Sequence, residues 1–152
     1  MKITYAEEKD IAAIAVAEAA CFPSAEAATE QEFVERIKYY GNHFWLLYDA
    51  DKLIAFVDGF VTDEPDLTDA MYENACMHNE NGAWQMIFGV NTLPEYRKRG
   101  YAGELILSLI HILLPKLIEN PDSFSKQIEL TDKAKSNYRG KNRQVSGETC
   151  RF

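Results

Sequence analysis

Residues 88–107 read FGVNTLPEYRKRGYAGELIL and join two kinds of secondary structure. An apolar, strand-like run comes first, a turn with Pro94 follows, and apolar residues then recur at helical spacing. Three adjacent cations, Arg97–Arg99, and the small residues after them stand where the helix begins. A helix N-terminus has unpaired N–H groups and a partial positive charge. The stretch therefore predicts a strand–turn–helix unit that binds an anion, with a simple basic turn as the alternative.

The overall charge of the chain restricts the partners that it can have. Its 152 residues carry a net charge of −8, which disfavours nucleic-acid binding because phosphate neutralisation needs a basic face. An acidic surface attracts cations such as amines instead. Hydrophobic residues make up 47% of the chain, which is ordinary for a globular domain of this length.

The cysteines and the N-terminus indicate a compartment. Cys21, Cys76 and Cys150 are odd in number and lack metal-like or disulfide-like spacing, so we expect free thiols, a reducing environment and no metal site. The first ten residues are too charged for a signal peptide. The longest apolar run, Leu105–Leu114, is too short to span a bilayer. These features predict a cytoplasmic protein with no membrane partner.

Helix and strand patterns alternate along the rest of the chain. Strand patterns occupy residues 2–5 and 83–90, helical patterns occupy 7–22 and 24–41, and two strand-like runs within 43–61 flank a polar turn at residues 49–52. Thr29 and Glu32 have the spacing of a capping box, and Gly41 is a helix stop signal. The nearly all-apolar run 83–90 predicts a central strand that is buried on both faces. Pro115 predicts the end of the last helix, since an interior proline costs about 3 kcal/mol.

Residues 62–82, which we call the acidic segment, are expected to form a long loop with at most a short helix. The segment carries six carboxylates: Asp63, Glu64, Asp66, Asp69, Glu73 and Glu80. Such a run is usually a solvated surface. The functional alternative is a wall that attracts a cationic substrate.

The basic turn resembles motif A of the GNAT superfamily of N-acetyltransferases, whose pattern Gln/Arg-x-x-Gly-x-Gly/Ala is supplied by Arg97, Gly100 and Ala102. The fragments CFPSAEAAT, HFWLL and GAWQMIFGVNTLPEYRKRGYA are similar to a bacterial branch related to serotonin (arylalkylamine) N-acetyltransferases. The resemblance covers residues 1–113. It implies an α/β (α+β) fold with a mixed, mostly antiparallel central sheet and helices on both faces.

The same resemblance implies acetyl-CoA as the acetyl donor. The main chain of Phe88, Gly89 and Val90 would bind the pantetheine arm like an added strand, with the Val90 amide as the oxyanion donor and Gly89 at a bulge. The pyrophosphate would lie against Arg97, Lys98, Arg99, Gly100, Tyr101, Ala102 and Gly103. For the side chains of Phe88 and Val90, core packing is the alternative role.

The resemblance does not supply a general base or a general acid. Serotonin acetyltransferases carry two histidines on the motif strand, and the matching positions here are Trp84 and Met86. The histidines of this chain are His43, His78 and His111, for which surface or packing roles are the alternative, and Tyr138 is the one tyrosine in the region of the family's acid. On the acceptor side, the resemblance suggests Phe22 and Pro23 as an aromatic wall, with a hydrophobic staple between helices as the alternative.

The C-terminal part of the chain differs from the rest. Residues 119–152 carry seven Lys or Arg and five Asp or Glu, few apolar residues, and no match to the family pattern. We therefore divide the chain into a GNAT-like acetyl-CoA-binding domain at 1–118 and an atypical segment at 119–152. Our hypothesis is a frameshift or truncation near residues 111–119. It would leave the edge of the motif strand exposed and favour a homodimer through that edge.

Three functions follow as hypotheses. The first is an N-acetyltransferase that acts by direct attack on a primary amine of a small molecule, arylalkylamine-like or polyamine-like. The second is a non-catalytic remnant that binds coenzyme A. The third is an oligomeric domain without a ligand.

Overall fold

The computed structural model describes residues 1–119, of which Met1–Ile112 form one compact unit. In chain order the elements are β1 (Lys2–Tyr5), α1 (Ile11–Cys21), α2 (Glu30–Tyr40), β2 (Phe44–Asp49), β3 (Lys52–Asp58), β4 (Val61–Thr62), α3 (Asp69–Glu73), β5 (Trp84–Gln85), β6 (Gly89–Thr92) and α4 (Tyr101–Glu119). Short 3-10 helices lie at Glu8–Asp10, Gly41–His43, Ala75–Met77 and Pro94–Tyr96. The prediction of an α+β fold with a mostly antiparallel sheet is confirmed.

The main sheet has the strand order β1-β2-β3-β6, and every neighbouring pair is antiparallel. Strands β2 and β3 are its central members, and nearly all of their residues are buried. Their hairpin turns at the predicted position, with Ala50 in the left-handed region at φ 51°. A second, two-stranded ribbon pairs β4 with β5.

The run 83–90 does not form the single buried central strand that its composition predicts. The strand is interrupted between β5 and β6, and β6 is only half-buried. Between the pairs Asp58–Gly89 and Val61–Gln85, three residues, 86–88, oppose two, 59–60, which makes a bulge. Gly59 permits it, since a Cβ there would lie 1.8 Å from the Met86 carbonyl oxygen. A close backbone contact therefore decides the local structure, and hydrophobicity alone does not reveal it.

Helices α1 and α2 pack against each other, and α1 also contacts β3 and β6. The predicted capping box of α2 is confirmed: the Glu32 amide donates to Thr29 Oγ1 at 3.3 Å, and the Thr29 amide donates to Glu32 Oε2 at 2.7 Å. The helix also ends at Tyr40, with Gly41 as its C-cap. It begins at Glu30, six residues later than the start of the helical pattern at residue 24.

Helix α4 extends through Pro115 to Glu119, so the prediction that this proline ends the helix is wrong. A proline removes one main-chain hydrogen bond, and the rest of a 19-residue helix can retain its bonds on either side. Leu105 and Leu109 are buried as the spacing predicts, but Ile110 is 42% exposed. No helix among residues 1–119 has the length and apolar character that crossing a membrane requires.

Several predictions lie outside the described residues. They are the atypical segment at 119–152, apart from its first residue, together with Tyr138 and Cys150 in that segment. The domain boundary and the frameshift hypothesis remain predictions.

Candidate functional site

The candidate site is built on β6 and on the turn that follows it. Strand β6 pairs with β3 through Asp58–Gly89, Val57–Val90, Phe56–Asn91 and Ala55–Thr92. Within residues 1–119, no strand pairs with the other edge of β6. Apart from the Thr92 carbonyl oxygen, which accepts from the Arg97 and Cys21 side chains, the main-chain groups on that edge are therefore available to a further extended segment.

Phe88, Gly89 and Val90, the predicted pantetheine contacts, lie at the bulge and the start of β6. The Phe88 amide donates to the Asp58 carbonyl oxygen at 2.8 Å, which holds the bulge against β3. The Phe88 ring makes edge contacts with Phe60 at 4.8 Å and tilted contacts with Tyr72 at 4.9 Å between centroids. The side chain of Phe88 thus packs among aromatic rings while its backbone lies at the irregular end of the strand.

The turn between β6 and α4 has an unusual backbone. Pro94–Tyr96 form one 3-10 turn, and then Lys98 and Gly100 both have positive φ, 63° and 87°. Glycine adopts this conformation without cost, whereas a lysine pays about 1–2 kcal/mol. The two left-handed residues, Lys98 and Gly100, turn the backbone sharply into the start of α4.

The first turn of α4 presents unpaired amides. Its first internal hydrogen bond runs from the Glu104 amide to the Gly100 carbonyl oxygen at 3.0 Å. Within the described part of the chain, the amides of Tyr101, Ala102 and Gly103 have no main-chain or side-chain acceptor. A Cβ added at Gly100 or Gly103 would meet no atom within 4 Å. This geometry leaves donors and open space together, as an anion site at a helix N-terminus requires.

The three cations of the turn have different environments. The Arg97 Nε donates to the Thr92 carbonyl oxygen at 3.1 Å, and an Arg99 NH2 donates to the Glu95 carbonyl oxygen at 3.0 Å. The Arg99 guanidinium also lies 5.4 Å from the centroid of the Tyr96 ring. Lys98 is exposed, and its ammonium group has no hydrogen bond or ion pair among residues 1–119. Two of the cations therefore brace the turn, while Lys98 projects from it.

A buried polar cluster, which sequence analysis missed, lies against the start of β6. Arg36 NH1 is 3.6 Å from Asp58 Oδ2, and Asn91 Nδ2 donates to Glu18 Oε2 at 2.8 Å. Burial raises the pKa of Asp58 to about 7, although Arg36 opposes this shift. Burial also raises the pKa of Glu18. A single acid inside the apolar run LIAFVDGFV was the available signal for Asp58.

The histidines do not gather at the motif strand. His43 directly precedes β2, His78 lies in the acidic segment, and both contact Glu80. Burial lowers the pKa of His78, and the neighbouring His43 adds to this effect. His111 is exposed on α4. Trp84 and Met86, which the resemblance to serotonin acetyltransferases matches with two histidines, are both buried, at 9% and 8% exposure.

The predicted acceptor residues follow, in sequence, a residue that contacts the motif strand. Phe22 and Pro23 are exposed and follow α1 directly. The preceding residue, Cys21, donates from Sγ to the Thr92 carbonyl oxygen at 3.4 Å, which attaches the end of α1 to the end of β6. Phe22 is 37% exposed and is thus available for contact.

A separate cavity of about 230 Å³ opens between α2 and the region of α3. Carboxylates and tyrosine rings form much of its wall: Glu32, Glu35, Glu73, Tyr39 and Tyr72. Arg36 also lines it and connects it to the Asp58 carboxylate. Tyr72 further contacts Phe88 at the bulge, so the cavity borders the residues that support β6.

Comparison with known proteins identifies the family. The sequence model described as the acetyltransferase (GNAT) family matches residues 11–119. A search of curated proteins gave no match. Among solved structures, the GphF GNAT-like decarboxylase in complex with isobutyryl-CoA superposes with a TM-score of 0.66 at 21% identity, over 73% of this chain and 58% of that one.

Two further structures have the same fold. The loading GNATL domain of CurA from Lyngbya majuscula gives a TM-score of 0.66 at 19% identity, over 73% of this chain and 57% of that one. The ribosomal-protein-S18-alanine N-acetyltransferase from Escherichia coli gives 0.53 at 18% identity, over 76% of this chain and 60% of that one. The chain thus spans three-fifths or less of the length of these three relatives.

Proposed function

Because the chain belongs to the acetyltransferase (GNAT) family, we propose that it transfers the acetyl group of acetyl-CoA to a primary amine of a small molecule. The observation that carries this proposal is the first turn of α4, where the amides of Tyr101–Gly103 have no acceptor among the described residues and a Cβ added at Gly100 or Gly103 would meet no atom within 4 Å. These amides would hold the pyrophosphate, assisted by the exposed ammonium of Lys98.

The pantetheine arm would lie along the outer edge of β6. In the described residues this edge has no strand partner, and the bulge at 86–88 ends the regular pairing just before Gly89. Acetyl-CoA supplies an activated acetyl group when bound. The Val90 amide is our candidate for the donor that stabilises negative charge on the reacting oxygen.

The net charge of the chain and two of its surfaces suit a cationic acceptor with an apolar part. The chain has a net charge of −8, which raises the local concentration of amines. Phe22 and Pro23 offer an apolar wall beside the end of β6, and the cavity between α2 and α3 offers carboxylates with tyrosine rings. Such a combination suits an arylalkylamine or a polyamine, since ammonium groups bind carboxylates and aromatic faces.

Calorimetry and a turnover assay test the proposal together. Calorimetry with acetyl-CoA should show one site per chain. A thiol-release assay over a panel of aromatic amines and polyamines should then show turnover with at least one of them. Absence of acetyl-CoA binding would refute the proposal at its first step.

A second candidate function is coenzyme A binding without turnover. It is favoured by Trp84 and Met86, which are buried and offer no general base at the two positions that correspond to histidines in serotonin acetyltransferases. Binding in calorimetry without thiol release for any amine would support it. If acetyl-CoA does not bind and light scattering shows a dimer, the result would instead support an oligomeric domain that pairs through the edge of β6.

A further inference from the structure

Three side chains of the metal-binding type meet away from β6. His43 directly precedes β2, and His78 and Glu80 come from the end of the acidic segment. Glu80 Oε2 lies 2.9 Å from His43 Nε2 and 3.2 Å from His78 Nε2. All three ligand atoms fall within 4.8 Å of one another. The imidazole side chains are only 5% and 9% exposed, whereas the Glu80 side chain is 48% exposed.

Hydrogen bonding fixes the proton on one nitrogen of His43. The Gln85 Nε2 donates to the Met86 carbonyl oxygen at 3.0 Å, so Gln85 presents its Oε1 to His43. His43 Nδ1 lies 2.7 Å from that oxygen and must donate to it. In the neutral ring, Nε2 then carries a lone pair and faces the Glu80 carboxylate at 2.9 Å. Two acceptors at this distance require a positive charge between them, either a proton or a metal ion.

We propose that His43, His78 and Glu80 bind a divalent transition-metal ion, with zinc favoured by the two imidazoles and one carboxylate. Ligand atoms of tetrahedral zinc lie about 3.3 Å apart when the bonds are about 2.0–2.1 Å long. The 2.9 and 3.2 Å separations lie close to this spacing. Without an ion, ring protons account for the contacts of both imidazoles with Glu80 Oε2, and Asn42 Nδ2 donates to the same oxygen at 3.2 Å. The metal site is inferred from the ligand types and their spacing, and the ion would replace those two ring protons.

The surroundings match a metal site. The His43 Nδ1–Gln85 contact is the kind of outer hydrogen bond that orients a metal-binding histidine. The rings of Trp45, Tyr40 and Phe60 lie near the two imidazoles, at centroid distances of 5.9, 5.8 and 6.3 Å. These rings keep much of the site dry, and the exposed half of Glu80 leaves a path for entry.

Binding has one structural cost. His78 Nδ1 accepts a hydrogen bond from the Val61 amide at 3.2 Å, so its Nε2 carries the ring proton without metal. Ligation through Nε2 transfers that proton to Nδ1, and the Val61 contact is then given up. The ion would tie the end of the acidic segment to the start of β2.

Cobalt(II) titration of the full chain, stripped with a chelator, tests the site. We expect one cobalt(II) ion per chain with visible absorption of tetrahedral intensity, displaced by zinc, and a change in the Val61 amide resonance. Glu80→Gln keeps the shape but removes a charged ligand and should weaken binding at least about a hundredfold. Gln85→Ala keeps all three ligands and should weaken it about 10–100-fold. The matched control is His111→Gln, which changes an exposed histidine on α4 and should bind cobalt(II) as the wild type does.

Two results would overturn the metal site. One is a wild-type chain that binds neither cobalt(II) nor zinc, in which case the charge between His43 and Glu80 is a proton alone. The other is unchanged affinity in folded Glu80→Gln and Gln85→Ala, since the ion would then sit elsewhere in the chain. Circular dichroism of each variant without metal establishes whether it is folded. If Glu80→Gln does not fold, Gln85→Ala provides the test.

Discussion

The Asp58 carboxylate is packed directly against Gly89. A Cβ added to Gly89 would lie 2.6 Å from Asp58 Oδ1, closer than real contacts allow. Asp58 is 2% exposed, and its other neighbour is the Arg36 guanidinium, so it has little room to move. Glycine at the start of β6 is therefore required by the buried carboxylate beside it.

Gly89→Ala should accordingly destabilise the fold. The new methyl group must displace Asp58 or β6, and overpacking of this kind costs about 1–3 kcal/mol. Urea denaturation measures the loss. Gly103→Ala is the control, since its Cβ meets nothing within 4 Å and alanine favours a helix by up to about 1 kcal/mol. Equal stability of the Gly89→Ala variant and the wild type would show that Asp58 moves freely.

The stability of the protein should fall as pH rises from about 4 to about 7 on account of Asp58. Its pKa is raised by burial from 3.8 to about 7, so the folded state holds a proton that the unfolded state releases. This stabilisation is fully present below the pKa that Asp58 has in the unfolded state, and it is lost as the pH rises through the pKa that it has in the folded state. Between the two, the free energy of unfolding falls by at most about 1.4 kcal/mol per pH unit. Asp58→Asn should flatten the dependence of the urea midpoint on pH, while Asp49→Asn, on the exposed end of β2, should leave it unchanged.

Charge at Gly103 should control acetyl-CoA affinity. Gly103→Gln and Gly103→Glu add side chains of equal size into open space, and only the second adds a negative charge beside the proposed pyrophosphate. We expect Gly103→Glu to bind at least about tenfold more weakly than Gly103→Gln, which corresponds to 1.4 kcal/mol. The difference should shrink at high salt because the charge is exposed. Calorimetry that gives equal affinities for the two variants would place the phosphates elsewhere.

The cavity between α2 and α3 yields a prediction for the acceptor. Glu35→Gln removes an exposed carboxylate from its wall. If a polyamine binds there, its KM should rise up to about fivefold with little change in kcat, since an exposed ion pair is worth about 0.2–1 kcal/mol. Glu8→Gln, an exposed change outside the cavity, is the control. A KM that both variants shift equally would reflect net charge and would not support this location.

Local rules predicted the elements whose signals lie within a few residues. Thr29 and Glu32 are three positions apart, and the capping box that they form needs no information from the rest of the chain. The polar turn at 49–52 is similarly local. The basic turn and the helix after it were also identified from residues 94–103, because the glycines and cations are adjacent in sequence.

Features that depend on contacts between distant segments were missed. The bulge at 86–88 depends on Gly59, and the buried cluster joins Glu18 of α1, Arg36 of α2 and Asp58 of β3. The site of His43, His78 and Glu80 has no recognisable spacing for the same reason. Pro115 shows a different error: the local tendency of proline to end a helix was correctly noted, but the long helix α4 continues past it.

The left-handed conformation of Lys98 sets two selective pressures against each other. Replacing this lysine by glycine would relieve a backbone penalty of about 1–2 kcal/mol and yield a more robust protein. The same replacement would remove the cation that projects from the turn toward solvent. A lineage that uses the anion site should therefore retain the less stable residue, whereas one that has lost the ligand is at liberty to drift toward glycine or asparagine.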